Sequence, residues 1–120
     1  ELAASLRAAI ALAEQGAVAP TELTAALGEG WVAEEALAVA LYSVLATAGN
    51  TTPEEHFRSA LAIAINHDGD SDSTGSITGN ILGAFYGEAV LPRSWVDAAE
   101  APEVVLGMAA RFLAQTEAPA

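Results

Sequence analysis

The stretch WVAEEALAVALYSVLATAG, Trp31 to Gly49, decides the fold class. Leu37, Leu41, Val44, Leu45 and Ala48 recur at the three- and four-residue spacing of one helix face. Ala36, Val39 and Ala40 extend the apolar surface nearly all round. A helix with so little polar circumference is buried on more than one side. Its neighbours must supply the cover.

Those neighbours also read as helices. Upstream, ELAASLRAAIALAEQG places Leu2, Leu6, Ala9, Ile10 and Ala13 at helical spacing, with Gly16 as the stop. PTELTAALG is a short helix, opened by Pro20 in its first turn and closed by Gly28. Downstream, TTPEEHFRSALAIAIN starts with Thr52 as N-cap, Pro53 at the first helical position and Glu55 three residues after the cap, a capping box. A further helix is expected from about Ser73 to Gly87, LPRSW reads as a turn, and APEVVLGMAARFLAQ is a final helix before a frayed TEAPA. No segment alternates like a strand. The expectation is an all-α, compact bundle of five to six helices.

Composition narrows the function classes. The chain has 120 residues, a one-domain length. It opens at Glu1, which suggests an excised piece or a processed product. Its net charge of -12, with only four Lys and Arg, excludes a phosphate-tracking nucleic-acid surface and disfavours anionic membranes. A cation is the natural small partner. No apolar run reaches the roughly 20 residues that span a bilayer, and no basic leader precedes one. Cysteine is absent, which suits a reducing cytoplasm, the expected compartment. Alanine fills 29 positions, so helices can approach closely.

Residues 66 to 75, NHDGDSDSTG, hold three of the four aspartates: Asp68, Asp70 and Asp72. Carboxylates about 6 Å apart repel by roughly 0.7 kcal/mol in water and about 3 kcal/mol at an effective dielectric of 20. Arg7, Arg58, Arg93 and Arg111 are distant in sequence, so a divalent ion is the expected counter-charge. Oxygen donors without cysteine favour Mg²⁺, Mn²⁺ or Ca²⁺ over zinc. A calcium-loop alignment matches the three aspartates but fails at Ser73, where glycine is needed, and at Gly79, where a bidentate glutamate is needed. Ser71, Asp72 and Ser73 as helix caps account for one aspartate and not for three. Next to them, Gly75, Gly79, Gly83 and Gly87 form a ridge every fourth residue, at about 1 kcal/mol per interior glycine. Close approach of another backbone is the expected compensation, with Ile77, Ile81 and Phe85 as a second ridge of a central helix.

NHDGDSDSTGSITGNILGAFYG followed by LPRSW resembles the C-terminal metal-binding signature of the ADP-ribosylglycohydrolase family, and GWVAEEALAVALYSVL resembles the helix that precedes it. The resemblance covers about Gly30 to Trp95. It implies an all-helical hydrolase that cleaves the glycosidic bond between ADP-ribose and an acceptor side chain, with two Mg²⁺ or Mn²⁺ ions. Carried over by position, Asp70, Asp72 and Ser73 are the metal ligands, and Asp68 belongs to the second shell or the rim; His67 beside them is a second-shell candidate, with hydrogen bonding or capping at the helix end the simpler role. The family's N-terminal Thr-Asp-Asp type motif has no match, since no aspartate precedes Asp68. The chain is therefore expected to be the C-terminal portion, 1-120, of a larger fold, holding part of the site. Its expected partners are that remaining N-terminal portion and an ADP-ribosylated protein or ADP-ribose-containing small molecule. The alternative is a small helical metal-binding or assembly module without catalysis of its own. Trp31, Tyr42 and Tyr86 are candidates for a nucleotide pocket, with core packing the simpler role. Glu34 and Glu35 suit the first-turn dipole or support of the site.

Overall fold

The computed structural model describes residues 1–117, which are helical with no strand among them. The helices are α1 (Leu2–Ala13), α2 (Pro20–Leu27), α3 (Ala33–Thr47), α4 (Pro53–Ile65), α5 (Ser71–Tyr86), α6 (Arg93–Ala98) and α7 (Pro102–Thr116), with a 3-10 turn at Glu88–Val90. The all-α expectation holds. The extra helix is α6, in the stretch read as a turn: Pro92 is its N-cap, and its exposed Arg93 and Asp97 pair at i,i+4. The tail TEAPA falls partly outside the described residues, with Thr116 ending α7.

Two compact units divide the chain, Glu1–Val90 and the residues from Leu91 onward. In the first, α3 packs against α1, α4 and α5, and α4 packs against α5. Ala9 and Leu12 of α1, Leu23 and Leu27 of α2, and Ala38, Val39 and Tyr42 of α3 form its core. In the second, no residue of α7 is buried.

The burial of α3 on several sides follows the sequence pattern, but the deepest face is a different one. Ala36, Ala38, Val39, Ala40, Tyr42 and Ser43 are buried, while Leu45 is exposed and Leu37, Leu41 and Val44 are half-buried. Small side chains let three helices close on α3, and the larger leucines lie at the margins. Ser43 tolerates burial because its hydroxyl donates to the Val39 carbonyl at 2.8 Å.

Tyr42 ties the core to a loop. Its hydroxyl accepts from the Val18 N–H at 2.8 Å and donates to the Gly16 carbonyl at 3.0 Å, so the turn between α1 and α2 is fastened to α3. At the other end, His56 holds α5 against α3 and α4. A carbonyl only accepts, so His56 Nε2 donates to Val44 at 2.9 Å, and Nδ1 accepts from the Tyr86 hydroxyl at 2.7 Å. Tyr42 is thus a core residue, and the half-buried Tyr86 gives its hydroxyl to His56.

The glycine ridge of α5 departs from expectation. A Cβ on Gly75 would meet Ile65 Cγ2 at 2.8 Å, but Gly79 and Gly83 have nothing within 4 Å. The buried ridge is Thr74, Thr78 and Leu82 instead. Thr78 donates its hydroxyl to the Thr74 carbonyl at 2.7 Å, which removes the usual penalty for burying it. Ile77 and Ile81 are half-buried and Phe85 is exposed. No backbone among the described residues closes on the glycines.

The capping box of α4 forms as read. Thr52 accepts from the Glu55 N–H at 3.2 Å, and Glu55 accepts from the Thr52 N–H at 2.9 Å.

Two outcomes test these links. Tyr42→Phe leaves the half-buried Val18 N–H without its acceptor and lowers unfolding stability by about 1–3 kcal/mol in urea denaturation; an unchanged midpoint would contradict the fastening role. The Thr52 backbone N–H, and then its hydroxyl, hold the Glu55 carboxyl below its ordinary value. A depressed carboxylate stabilises the fold above its unfolded pKa and loses that contribution as pH falls through its folded value. Wild type therefore loses more stability on acidification than Glu55→Gln, read from melting curves across the carboxylate range.

Candidate metal centre

Two loops make the site, one before α3 and one before α5. The α2–α3 loop, Gly28 to Val32, begins at a glycine with φ of 90° and turns again at Gly30, φ 87°, a region open to glycine. Glu35, in the first turn of α3, accepts from the Gly30 N–H at 3.1 Å, and its side chain occupies the space a Cβ on Gly28 would need. Glu35 therefore supports this loop from beneath. Trp31 is 66% exposed and donates Nε1–H to Glu29 at 2.9 Å, so it is not a core residue.

The second loop runs from Asn66 to Asp70. Asp70 donates its N–H to the Glu29 carbonyl at 2.8 Å, which joins the two loops backbone to backbone. At Gly69 a Cβ would collide with Glu29 carbonyl atoms, so only glycine fits the joint. A Cβ on Gly30 would in turn meet Thr74 Cγ2 at 2.9 Å.

Asp70 is the N-cap of α5, where Ser71 to Ser73 had been the expected caps. The Ser73 N–H reaches Asp70 Oδ1 at 3.4 Å, a long bond. The Asp70 carboxyl is held below its ordinary value, first by a hydrogen bond shared with the Asp72 carboxyl and next by the Ser73 hydroxyl. The Ser73 N–H acts in the same sense, and burial opposes it. Two carboxyl groups at hydrogen-bonding range concentrate negative charge at a helix N-terminus, a place that suits it. Asp72 and Ser73, with Ser76 and Ile77, line an open cleft of about 350 Å³.

The structure thus brings Asp70, Asp72 and Ser73 together at one helix start. Asp68 is exposed, on the rim of the same turn. His67 is buried, and both its ring nitrogens lie against protein atoms, Gly69 N–H and Thr74 Oγ1. Two of the arginines are engaged on helix surfaces: Arg58 with Glu54 at 2.9 Å and Arg93 with Asp97 at 3.0 Å. Among the described residues, no group of three or more His, Cys, Asp or Glu side chains is placed to hold a metal ion. Two carboxylates and a hydroxyl are hard donors that fit Mg²⁺ or Mn²⁺ as part of a ligand set. They do not complete one.

Sequence reasoning missed the supporting parts: the Glu29 carbonyl, Gly30, Thr74 and the fold-back of Glu35. Two glycines bracketing Glu29 just before the long helix were the available signal.

The fold is that of an all-helical protein with an acidic turn at the start of α5. The relatives make the class specific. A sequence model of the ADP-ribosylglycohydrolase family matches residues 1–120, and the chain belongs to that family. It is 32% identical over 97 residues to ADP-ribosylhydrolase ARH3 of Bos taurus and 31% identical over 99 residues to ADP-ribosylhydrolase ARH3 of Homo sapiens. Each alignment covers 77% of this chain and 26% of the relative. ADP-ribosylarginine hydrolase Tri1 of Serratia proteamaculans (strain 568) is 40% identical over 43 residues, 36% of this chain and 12% of that protein. The chain spans about a quarter of the length of the ARH3 relatives. No solved structure matches it. No helix among the described residues is long and apolar enough to cross a membrane.

The joint between the loops is testable at Gly69. Gly69→Ala forces the Glu29 carbonyl away from Asp70 and lowers thermal stability by about 1–3 kcal/mol. Gly79→Ala, in open space on α5, leaves stability equal to wild type or raises it by up to about 1 kcal/mol. Equal effects of the two substitutions would contradict the assignment.

Proposed function

We propose that this chain is the C-terminal portion of a hydrolase that releases ADP-ribose from an acceptor side chain, and that Asp70, Asp72 and Ser73 are its share of a site for two Mg²⁺ or Mn²⁺ ions. The observation that carries the proposal is the family match over residues 1–120, together with Asp70, Asp72 and Ser73 gathered at one helix start, two of them lining one cleft. The names of the relatives, an ADP-ribosylhydrolase and an ADP-ribosylarginine hydrolase, support the bond type.

Each residue has a part. Asp70 and Asp72 supply the charge that holds the cations, and the Ser73 hydroxyl adds a neutral oxygen donor. When bound, such ions supply a polarised water or ribose hydroxyl beside a glycosidic bond that breaks with positive charge on the ribose. The cleft of about 350 Å³ gives the substrate's ribose access to that helix start. Remaining ligands come from the rest of the fold, because the described residues offer no further carboxylate or histidine to complete the set.

The decisive experiment uses the protein that carries this chain with the rest of its fold. ADP-ribose release from an ADP-ribosylated protein falls to background with a chelator and returns with Mg²⁺ or Mn²⁺, and Asp72→Asn lowers it by at least about tenfold. Release that ignores both chelator and Asp72→Asn would contradict the proposal. The isolated 120-residue chain shows little or no release, and rapid turnover by it alone would contradict the shared site.

A further inference from the structure

His67 is 8% exposed and sits just ahead of the three proposed ligands, yet neither of its ring nitrogens is turned to them. Gly69 N–H points at Nδ1 at 3.0 Å. A backbone N–H can only donate, so Nδ1 accepts and carries no proton. The neutral ring then has its proton on Nε2, which lies 3.0 Å from Thr74 Oγ1. Thr74 Oγ1 is 2.6 Å from the Ala64 carbonyl, and a carbonyl can only accept. The directions in this chain of bonds are therefore set by backbone groups: Gly69 N–H donates to Nδ1, Nε2–H donates to Thr74 Oγ1, and the Thr74 hydroxyl donates to carbonyls, Ala64 nearest at 2.6 Å with Asp70 at 3.0 Å and Ser71 at 3.3 Å.

This chain encloses Asp70. Gly69, the residue before it, is fixed by the ring. The Asp70 carbonyl accepts from the Thr74 N–H at 3.1 Å, and Thr74 is the other end of the ring's bonding. Ala64, near the end of α4, anchors the arrangement to a buried helix turn. Rotation of the imidazole away from this geometry would release Gly69 and Thr74 together, and with them both sides of the residue that caps α5.

We infer that His67, as the neutral Nε2–H tautomer, is a positioning residue: it holds Gly69 and Thr74 so that Asp70, Asp72 and Ser73 present their oxygens together. It is not itself a metal ligand. This inference rests on the metal reading of the three donors, and it adds a part that a purely solvent-facing or cation-binding histidine would not play.

The test uses the protein that carries this chain with the rest of its fold, with Mn²⁺ as the probe. Imidazole ¹⁵N spectra of wild type show His67 protonated at Nε2 and bare at Nδ1. Mn²⁺ broadens the amide signals of Asp72 and Ser73, and His67→Leu, which keeps the bulk and loses both bonds, needs on the order of tenfold more Mn²⁺ for the same broadening at equal folded fraction. His67→Asn retains an acceptor at the Nδ1 position and His67→Gln retains a donor at the Nε2 position, so each falls between Leu and wild type. Should the leucine variant fail to fold, the Asn and Gln variants decide. Wild-type Mn²⁺ response in both, or a His67 proton on Nδ1, overturns the positioning role while leaving the metal reading standing. Absence of any Mn²⁺ response at Asp72 and Ser73 in wild type overturns the metal reading, and this role with it.

Discussion

The Asp70 N–H bonded to the Glu29 carbonyl at 2.8 Å is the contact on which the site depends. It joins the loop ahead of α3 to the loop ahead of α5, so the helix with the most buried residues and the helix that carries the acidic turn start from one fastened point. Its geometry dictates the residues around it. Gly69 has no Cβ because the Glu29 carbonyl occupies that space, and Gly30 takes a positive φ so that the loop can turn past Thr74. Glu35 receives the Gly30 N–H and keeps the loop from opening. A single backbone bond of this kind contributes about 0.5–1.5 kcal/mol to stability. Its larger consequence is positional, since it fixes where two carboxylates and a hydroxyl can stand.

Packing around that point is built from small side chains. Ala36, Ala38, Ala40 and Ser43 let α1, α4 and α5 close on α3, and Thr74 and Thr78 let α5 bury a polar ridge against its neighbours. Both buried hydroxyl types satisfy themselves on carbonyls one turn back, which is why polar residues can replace the expected hydrophobic ridge. The far ends are closed by two aromatic hydroxyls, Tyr42 on the α1–α2 turn and Tyr86 on His56. In this arrangement α5 is held at both ends, by Asp70 and by Tyr86, while its Gly79 and Gly83 face open space.

Legibility in the sequence followed the range of the interaction. The capping box of Thr52 and Glu55, the Pro20 start and the Gly28 stop are local chemistry, and each was readable from adjacent letters. The all-helical class was readable from the period of Trp31 to Gly49. Periodicity tells which residues share a face and not which face has a neighbour. That is why Leu37, Leu41 and Leu45 were favoured over Ala36 and Ala40, and the glycines of α5 over Thr74 and Thr78. The acidic turn was visible as composition, and the family resemblance singled out Asp70, Asp72 and Ser73 within it. Its support was not visible, because Glu29 contributes a carbonyl, which every residue has, to a partner distant in the chain. His67 beside the aspartates looked like a candidate for the second shell, and only the paired directions of Gly69 and Thr74 show what its two nitrogens do.

The central claim is that the two loops are fastened through Asp70, and amide hydrogen exchange at that residue tests it most directly. A fastened loop requires the Asp70 N–H to exchange as slowly as the Thr74 and Thr78 amides inside α5, since all three open only when the helix start comes away from the Glu29 loop. Exchange of the Asp70 amide at the rate of an unprotected loop, with Thr74 and Thr78 still protected, would contradict it.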